Sequence, residues 1–184
     1  MKKIASLTAI AVLMGSAFAA NAASTGTITF NGMVTDTTCN VNVDGQGVDA
    51  TVTLPTVPAT ELAAAGQTTG RTNFNMALSD CVVGDEGHNT VAAFFQTGAT
   101  VDNSTGRLKQ TAAAGAENVS LQLRDGTNDA VIFAGNQNQA TTNAFAEIVN
   151  GEEITLPYSV EYFAEDAATS GVVTSSVVYN LQYK

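Results

Sequence analysis

The chain has 184 residues, with 17 acidic against 7 basic side chains and a formal net charge of -10. Its apolar content of 45% is too high for a disordered acidic tail, and its negative charge excludes a typical nucleic-acid-binding protein. Sixteen glycines and three prolines, scattered among many Thr, Val, Ala and Asn residues, are typical of short strands and turns, so the composition predicts one exported all-β domain.

The first 22 residues have the form of a secretory signal peptide. A short basic start, residues 1–3, is followed by an apolar run, residues 4–18, that is too short to remain as a membrane anchor. Ala20-Asn21-Ala22 has the small-x-small pattern of a cleavage site, and cleavage after Ala19 is the alternative. We therefore expect residues 1–22 to be removed on export. The acidic chain that remains is not expected to insert into a membrane or bind its surface.

A strictly alternating segment precedes the first cysteine. Ile28, Phe30 and Val34 alternate with polar residues, which predicts a β-strand with one apolar face. Gly32 lies on that same face, where a glycine weakens strand packing. It has two interpretations: a place where another backbone comes very close, or a β-bulge.

An even number of cysteines in an exported chain predicts a disulfide, here between Cys39 and Cys81. The two cysteines are 42 positions apart, and the chain-entropy model assigns a loop of that size roughly 4 kcal/mol of stabilisation. A metal pair or a reactive thiol is the competing interpretation. The chain has no CxxC spacing and a single histidine, His88, which favours the structural disulfide.

The chain beyond Cys39 keeps the period of two that marks half-buried strands. Apolar runs separated by turn residues predict about eight or nine strands in all, enough for a β-sandwich, with a short helical turn at residues 61–65. The predicted strands after the first segment cover residues 40–43, 51–54, 74–78, 91–95, 119–123, 131–133, 154–163 and 172–183.

The alternation in the last predicted strand runs through the penultimate residue. Because chain termini usually fray, a strand that stays regular to its end indicates that something holds it. The residues of its apolar face are Val173, Ser175, Val177, Tyr179, Leu181 and Tyr183, and Gly171 precedes them.

No group of residues has the pattern of a catalytic or cofactor site. The sequence contains no Gly-x-Ser-x-Gly motif, no His-Glu-x-x-His motif and no glycine-rich phosphate loop after a strand. We therefore expect no enzymatic activity, no cofactor and no bound metal.

Taken together, these segments resemble the subunits of chaperone/usher fimbriae, in the branch of the type 1 and P pilus major pilins. The resemblance covers essentially the whole exported chain. It rests on the segment from Ile28 to Val34, on Cys39 shortly after it, on Thr72 to Cys81, and on the C-terminal alternation with Gly171 and Tyr183.

The resemblance implies an immunoglobulin-like sandwich that lacks its seventh strand and has a hydrophobic groove beside its last strand. A periplasmic chaperone would first lend a strand to this groove, and the N-terminal extension of the next subunit would replace it at an outer-membrane usher. Residues 23–35 would be the donor extension and residues 36–184 the pilin domain. The donor face would consist of Ile28, Phe30, Gly32 and Val34, and the acceptor groove or chaperone-binding strand of Gly171, Val173, Val177, Tyr179, Leu181 and Tyr183.

The function that the resemblance implies is that of a structural subunit, a major shaft pilin, in a surface fimbria that supports cell adhesion. Its partners would be further copies of the chain or other pilins, the chaperone and the usher. A donor contact does not close on itself, so its repetition produces a filament. Two alternatives stay open: a secreted monomeric β-sandwich that binds a ligand through its loops, and a minor adaptor pilin of the same system.

Overall fold

The computed structural model describes residues 26–84 and 87–184, so the predicted signal peptide lies outside the described residues. The chain divides into two units, residues 1–33 and residues 34–184. In the described part of the first unit, residues 26–33, the backbone has no regular secondary structure and the side chains are exposed. All the strands of the described chain belong to the second unit.

The second unit consists of two antiparallel sheets that enclose a shared core. The larger sheet has the order β1-β2-β8-β5-β4, with β6 beside β5, and the smaller sheet has the order β7-β3-β9. A 3-10 turn at Ala59–Leu62 and a short helix, α1 (Gln139–Thr142), connect the strands. The strands are β1 (Thr38–Val43), β2 (Thr68–Val82), β3 (Thr90–Phe95), β4 (Leu108–Lys109), β5 (Val119–Asp125), β6 (Val131–Ile132), β7 (Ala146–Glu147), β8 (Ile154–Ala164) and β9 (Tyr179–Tyr183).

The core is built from alternating residues, as the period of two predicts. In β2, the buried Phe74, Met76 and Leu78 alternate with residues that are partly or fully exposed. The ring of Tyr158 on β8 lies edge-on to Phe95 of the smaller sheet, with 5.2 Å between the ring centroids. Such contacts join the two sheets, and the prediction of an all-β sandwich is confirmed.

The outer face of the larger sheet carries a buried carboxylate, that of Glu161. Arg124 Nε, Gln122 Nε2 and Arg71 Nε donate hydrogen bonds to it over 2.7, 2.8 and 2.9 Å. Burial acts to raise the pKa of Glu161, but the hydrogen bonds from Arg124, Arg71 and Gln122 outweigh it and lower the pKa. The face is therefore held by a satisfied polar network rather than by apolar packing.

The disulfide predicted from the cysteine count is present between Cys39 and Cys81. It joins β1 to the end of β2, beside an irregularity in the β1–β2 register between Thr38 and Asn40. A second irregularity lies at Gly70 of β2, whose φ of +66° favours glycine. A Cβ atom there would lie 2.8 Å from the Tyr162 ring, so glycine lets that ring pack against the β2 backbone.

Three segments that the alternation predicts as strands have no regular strand structure: residues 27–34, residues 51–54 and residues 172–178. The physical reason is that a strand is defined by pairing, whereas alternation only records which side of the chain is apolar. Residues 172–178 have a hydrogen-bonded neighbour on one side only, and in residues 51–54 the Thr51 backbone is bonded by a glutamine side chain, Gln46, instead of a strand.

Candidate functional site

An apolar groove opens along the last strand, where the two sheets do not close over the core. One wall consists of residues 174–179 and the other of residues 48–54, and a cavity of about 510 Å³ lies between them. Because the floor of this cavity is the hydrophobic core itself, the sandwich is open to the core here. The floor residues are Val43, Phe74, Met76, Phe95, Leu108, Leu121, Leu123 and Val160.

The groove continues at both ends of this cavity. Towards residue 171 the chain continues along a second cavity of about 470 Å³, which residues 171–173 line together with Leu62 and Tyr162. Towards the C-terminus it joins a cavity of about 500 Å³, which residues 177–183 share with Cys39 and Val41. The opening thus follows the chain from Gly171 to Tyr183.

The wall formed by the last strand presents an unpaired backbone edge. Lys184 exchanges both backbone hydrogen bonds with Thr90, and the Val178 carbonyl accepts one from Gln96 N over 2.8 Å. In an antiparallel ladder successive residues point their backbone groups to opposite sides, so the odd-numbered residues from Tyr179 to Tyr183 face the groove. Among the described residues, β9 has no strand neighbour on that side.

The residues predicted for an acceptor strand lie along this groove. Tyr179 and Leu181 are half-buried and pack against the core, as do Val173, Val177 and Tyr183. Gly171 lies at one end of the groove, where a Cβ atom would collide with the backbone of Gly115 and Ala116. The structure brings the six predicted residues together along one opening, and their role in binding a strand stays a prediction.

Three tyrosines that line the groove bond the backbone of other segments through their hydroxyls, a feature that the sequence analysis missed. Tyr179 Oη donates a hydrogen bond to the Val48 carbonyl oxygen over 2.7 Å, and Tyr162 Oη donates one to the Pro55 carbonyl oxygen over 3.2 Å. The Tyr183 hydroxyl is hydrogen-bonded by the backbone of Cys39. The apolar residues Val48, Val52 and Leu54 are the available signal in the sequence, but they do not show which hydroxyl groups bind that segment.

Burial sets the protonation of these hydroxyls. Desolvation raises the pKa of Tyr179, and the nearby charge of Asp49 raises it further. Desolvation likewise raises the pKa of Tyr162 and of Tyr183. A tyrosine hydroxyl is neutral at physiological pH even without these shifts, and the raised pKa values extend to higher pH the range in which Tyr179 and Tyr162 donate their hydrogen bonds to carbonyl oxygens.

One polar group in the groove has no partner. Ser175 Oγ is buried and lines the central cavity, and no hydrogen bond reaches it from residues 26–84 or 87–184. A buried hydroxyl without a partner costs free energy, so this position favours the arrival of a further donor or acceptor.

The residues predicted as a donor face are exposed to solvent. The exposed fractions of Ile28, Phe30 and Val34 are 78%, 88% and 94%. A Cβ atom added at Gly32 would have no heavy atom within 4 Å. The segment thus carries several large apolar side chains that are exposed to solvent, and exposed apolar patches are a feature of interaction sites.

The lining of the groove is mostly apolar and suits an apolar segment. Asp49 is the only carboxylate on the lining of its three cavities, as far as the described residues show. In the described parts of the chain, no group of three or more His, Cys, Asp or Glu side chains could hold a metal ion. None of the helices within residues 26–84 and 87–184 has the length and hydropathy needed to cross a membrane.

The sequence is similar to those of known fimbrial proteins. The model of the family described as type-1 fimbrial protein, A (FimA) matches residues 54–184. The chain is 45% identical over 175 residues to the major fimbrial subunit SMF-1 of Stenotrophomonas maltophilia, covering 94% of this chain and 99% of that one. It is 37% identical over 176 residues to the F17 fimbrial protein of Escherichia coli, covering 95% and 96% of the two chains.

Solved structures show the same fold. A chain from a chaperone–usher pilus structure matches with a TM-score of 0.57 at 19% identity, covering 96% of this chain and 100% of that one. The P pilus rod subunit PapA matches with a TM-score of 0.56 at 16% identity, covering 79% and 99%. The architecture of the described chain is therefore the pilin fold.

Proposed function

Because this chain belongs to the FimA family of type-1 fimbrial proteins, we propose that it is the major shaft subunit of its fimbria and that it polymerises by donor-strand exchange. Members of the family are structural subunits that polymerise into surface fimbriae, and the chain is a fimbrial subunit of a chaperone–usher pilus, not an enzyme. In this proposal the face formed by Ile28, Phe30, Gly32 and Val34 of one subunit enters the groove beside the last strand of the next.

The observation that carries the proposal is the groove whose floor is the core. It combines core side chains that line an open cavity with the open backbone edge of β9, which is the arrangement that an added strand completes. The exposed face of Ile28, Phe30 and Val34 is the matching segment. Burying these three side chains is worth about 5–9 kcal/mol before the entropy of ordering the segment is subtracted.

The backbone adds to this side-chain contribution. An inserted strand would pair with the odd-numbered residues of β9, each bond contributing perhaps ~1 kcal/mol net. It would also pass over Ser175, whose buried hydroxyl has no partner among the described residues. Both gains come only when a segment fills the groove, so the free subunit is less stable than the assembled one.

The open edge of β9 implies that the subunit needs protection from aggregation before it is assembled. A long unpaired edge beside exposed apolar side chains is an aggregation hazard. We therefore infer that a periplasmic chaperone covers the groove first and that an outer-membrane usher exchanges it for the next subunit. The finished fimbria would act at the cell surface in adhesion. The relative at 45% identity is named a major subunit, which supports a shaft role over a minor adaptor.

The test compares the thermal unfolding of two forms of the domain. One starts at Asp36 and has no extension, and the other, the self-complemented chain, carries residues 23–35 after Lys184 on a flexible linker, so that the segment can run antiparallel to β9. We expect the relocated segment to raise the melting temperature by tens of degrees. The self-complemented chain with Gly32→Leu is the matched control and is expected to lose most of this gain. Equal melting of the two forms would mean a closed sandwich, and a secreted monomeric binding module would replace the proposal.

A further inference from the structure

The second edge of β3, on the side away from β9, is closed by side chains. The order of the smaller sheet is β7-β3-β9, and β7 has only two residues. It pairs with Thr90 and Val91 and ends there. In the part of the chain that the structure describes, the rest of β3 therefore has no strand on this side, and its backbone groups at positions 93 and 95 need other partners.

Side-chain amides supply most of these partners. Gln139 Oε1 accepts a hydrogen bond from Phe95 N over 2.9 Å, and Gln139 Nε2 donates one to the Phe95 carbonyl oxygen over 3.0 Å. The side-chain amide of Gln139 thus makes the same pair of bonds that a residue of a neighbouring strand would make. It is 1% exposed, so these bonds are shielded from water.

Position 93 is closed in the same way. Asn143 Nδ2 donates to the Ala93 carbonyl oxygen over 3.1 Å, and the Ala93 N–H donates to Tyr158 Oη over 2.9 Å. Asn143 is 7% exposed and follows α1 directly. Every β3 backbone group on this side therefore has a partner, without a further strand.

The two sides of the smaller sheet consequently differ. The β9 side is open along an apolar groove, whereas the β3 side is occupied by an amide from the helix and an amide from the residue after it. A short edge such as β7 offers too few groups to recruit another strand. An incoming apolar strand thus meets one edge of this sheet at which it can pair.

We propose that Gln139 and Asn143 determine at which edge of the smaller sheet a strand adds, because they close the β3 edge and leave the β9 edge open. This inference rests on the proposed donor-strand exchange and adds the residues that restrict it to one edge of that sheet. Both residues lie on the far side of β3 from the groove, so they direct assembly without touching the incoming strand.

The test uses the exported chain, refolded from denaturant, as wild type, Gln139→Met and Gln137→Met. Methionine has nearly the length of glutamine but no amide, and Gln137 is an exposed residue of the same segment, so the two variants change the composition identically. An excess of a synthetic peptide of residues 26–35 is the strand probe. Hydrogen exchange read by mass spectrometry reports which backbone amides it protects, and sedimentation measures the non-fibrous aggregate.

We expect the peptide to protect residues 179–183 in all three chains. In Gln139→Met alone, the Phe95 amide, which loses its acceptor Gln139 Oε1, exchanges faster without the peptide and gains protection with it, and non-fibrous aggregate increases by about fivefold or more. Equal exchange at β3 and equal aggregate in the two methionine variants would overturn the proposal. If Gln139→Met does not refold, Asn143→Leu removes the donor to the Ala93 carbonyl oxygen instead, and equal non-fibrous aggregate in this variant and in Gln137→Met would overturn the proposal.

The two hypotheses fail in different ways. Donor-strand exchange is wrong if the peptide leaves residues 179–183 of the wild-type chain unprotected. Edge closure is judged on the difference between Gln139→Met and Gln137→Met at β3 and in the aggregate, which does not require the peptide to bind at β9.

Discussion

Tyr179 Oη donates a 2.7 Å hydrogen bond to the carbonyl oxygen of Val48, and this bond joins the two walls of the groove. Tyr179 lies on β9, whereas Val48 begins the wall that has no regular strand structure. The bond therefore holds an irregular segment against a regular one at the junction of two cavities.

Tyr179→Phe is expected to lower the free energy of unfolding of the exported chain by about 1 kcal/mol, because it removes this bond and keeps the ring. Urea unfolding followed by circular dichroism measures the change. Tyr162→Phe, which removes the longer 3.2 Å bond to Pro55, is expected to cost less. A Tyr179→Phe chain as stable as wild type would mean that the bond does not hold the wall.

Gly32→Leu is expected to block fibre formation and leave export and folding of the subunit unchanged. A Cβ atom at Gly32 would meet no heavy atom of residues 26–84 and 87–184 within 4 Å, so we expect the effect to come from the contact with the next subunit. In an inserted strand the leucine would point at the groove floor, where the backbones approach closely.

Electron microscopy of surface fimbriae and the amount of exported subunit measure these two effects. Asn31→Leu is the matched control, because it adds similar bulk to the opposite face of the segment. Normal fibres from Gly32→Leu would contradict the assignment of residues 23–35 as the donor segment.

Alkaline pH is expected to destabilise the domain through Tyr158. Burial raises the pKa of this tyrosine from 10.0 to about 12, and the Asp125 carboxylate adds to the shift against a hydrogen bond from Ala93. Between these two values the unfolded chain loses the proton while the folded chain keeps it. The contribution of Tyr158 to the free energy of unfolding is thus complete below pH 10. Roughly 2–3 kcal/mol of it is lost as the pH rises towards 12.

Urea unfolding at several pH values between 9 and 12 measures this loss. Tyr158→Phe cannot titrate, so its stability should fall less over the same range, although it starts lower because the Ala93 N–H loses its acceptor. Parallel falls in the two chains would show that other groups carry the alkaline transition.

The alternation in the sequence predicted which side of the last strand is apolar, because burial on one face imposes a period of two whatever the strand pairs with. The same pattern could not show that residues 172–178 have a neighbour on one side only, since pairing depends on segments far away in the chain. The cysteine count predicted the disulfide for a reason that does not depend on the fold, the redox environment of exported proteins.

Gln139 and Asn143 were not predictable from sequence in this way. They lie in a polar segment, residues 136–143, which has the composition of a solvent-exposed loop. Their burial follows from the two-residue length of β7, which leaves the backbone at Ala93 and Phe95 without a strand neighbour. In a sequence, a polar side chain that bonds a sheet edge cannot be distinguished from one that is exposed to water. The two are distinguished only when the position of the edge in the fold is known.

Removal of the disulfide by the double variant Cys39→Ala and Cys81→Ala is expected to lower the free energy of unfolding by roughly 4 kcal/mol, because the loop between the cysteines becomes free in the unfolded chain. Cys39 also lies on the groove lining, and its backbone bonds the hydroxyl of Tyr183. Loss of the bond should therefore reduce both the exported amount of subunit and its assembly. Immunoblots of periplasmic extracts measure the first effect and fibre yield per subunit the second. The double variant leaves no free thiol, so a loss cannot come from wrong disulfides, and unchanged levels would show that the bond is dispensable to the fold.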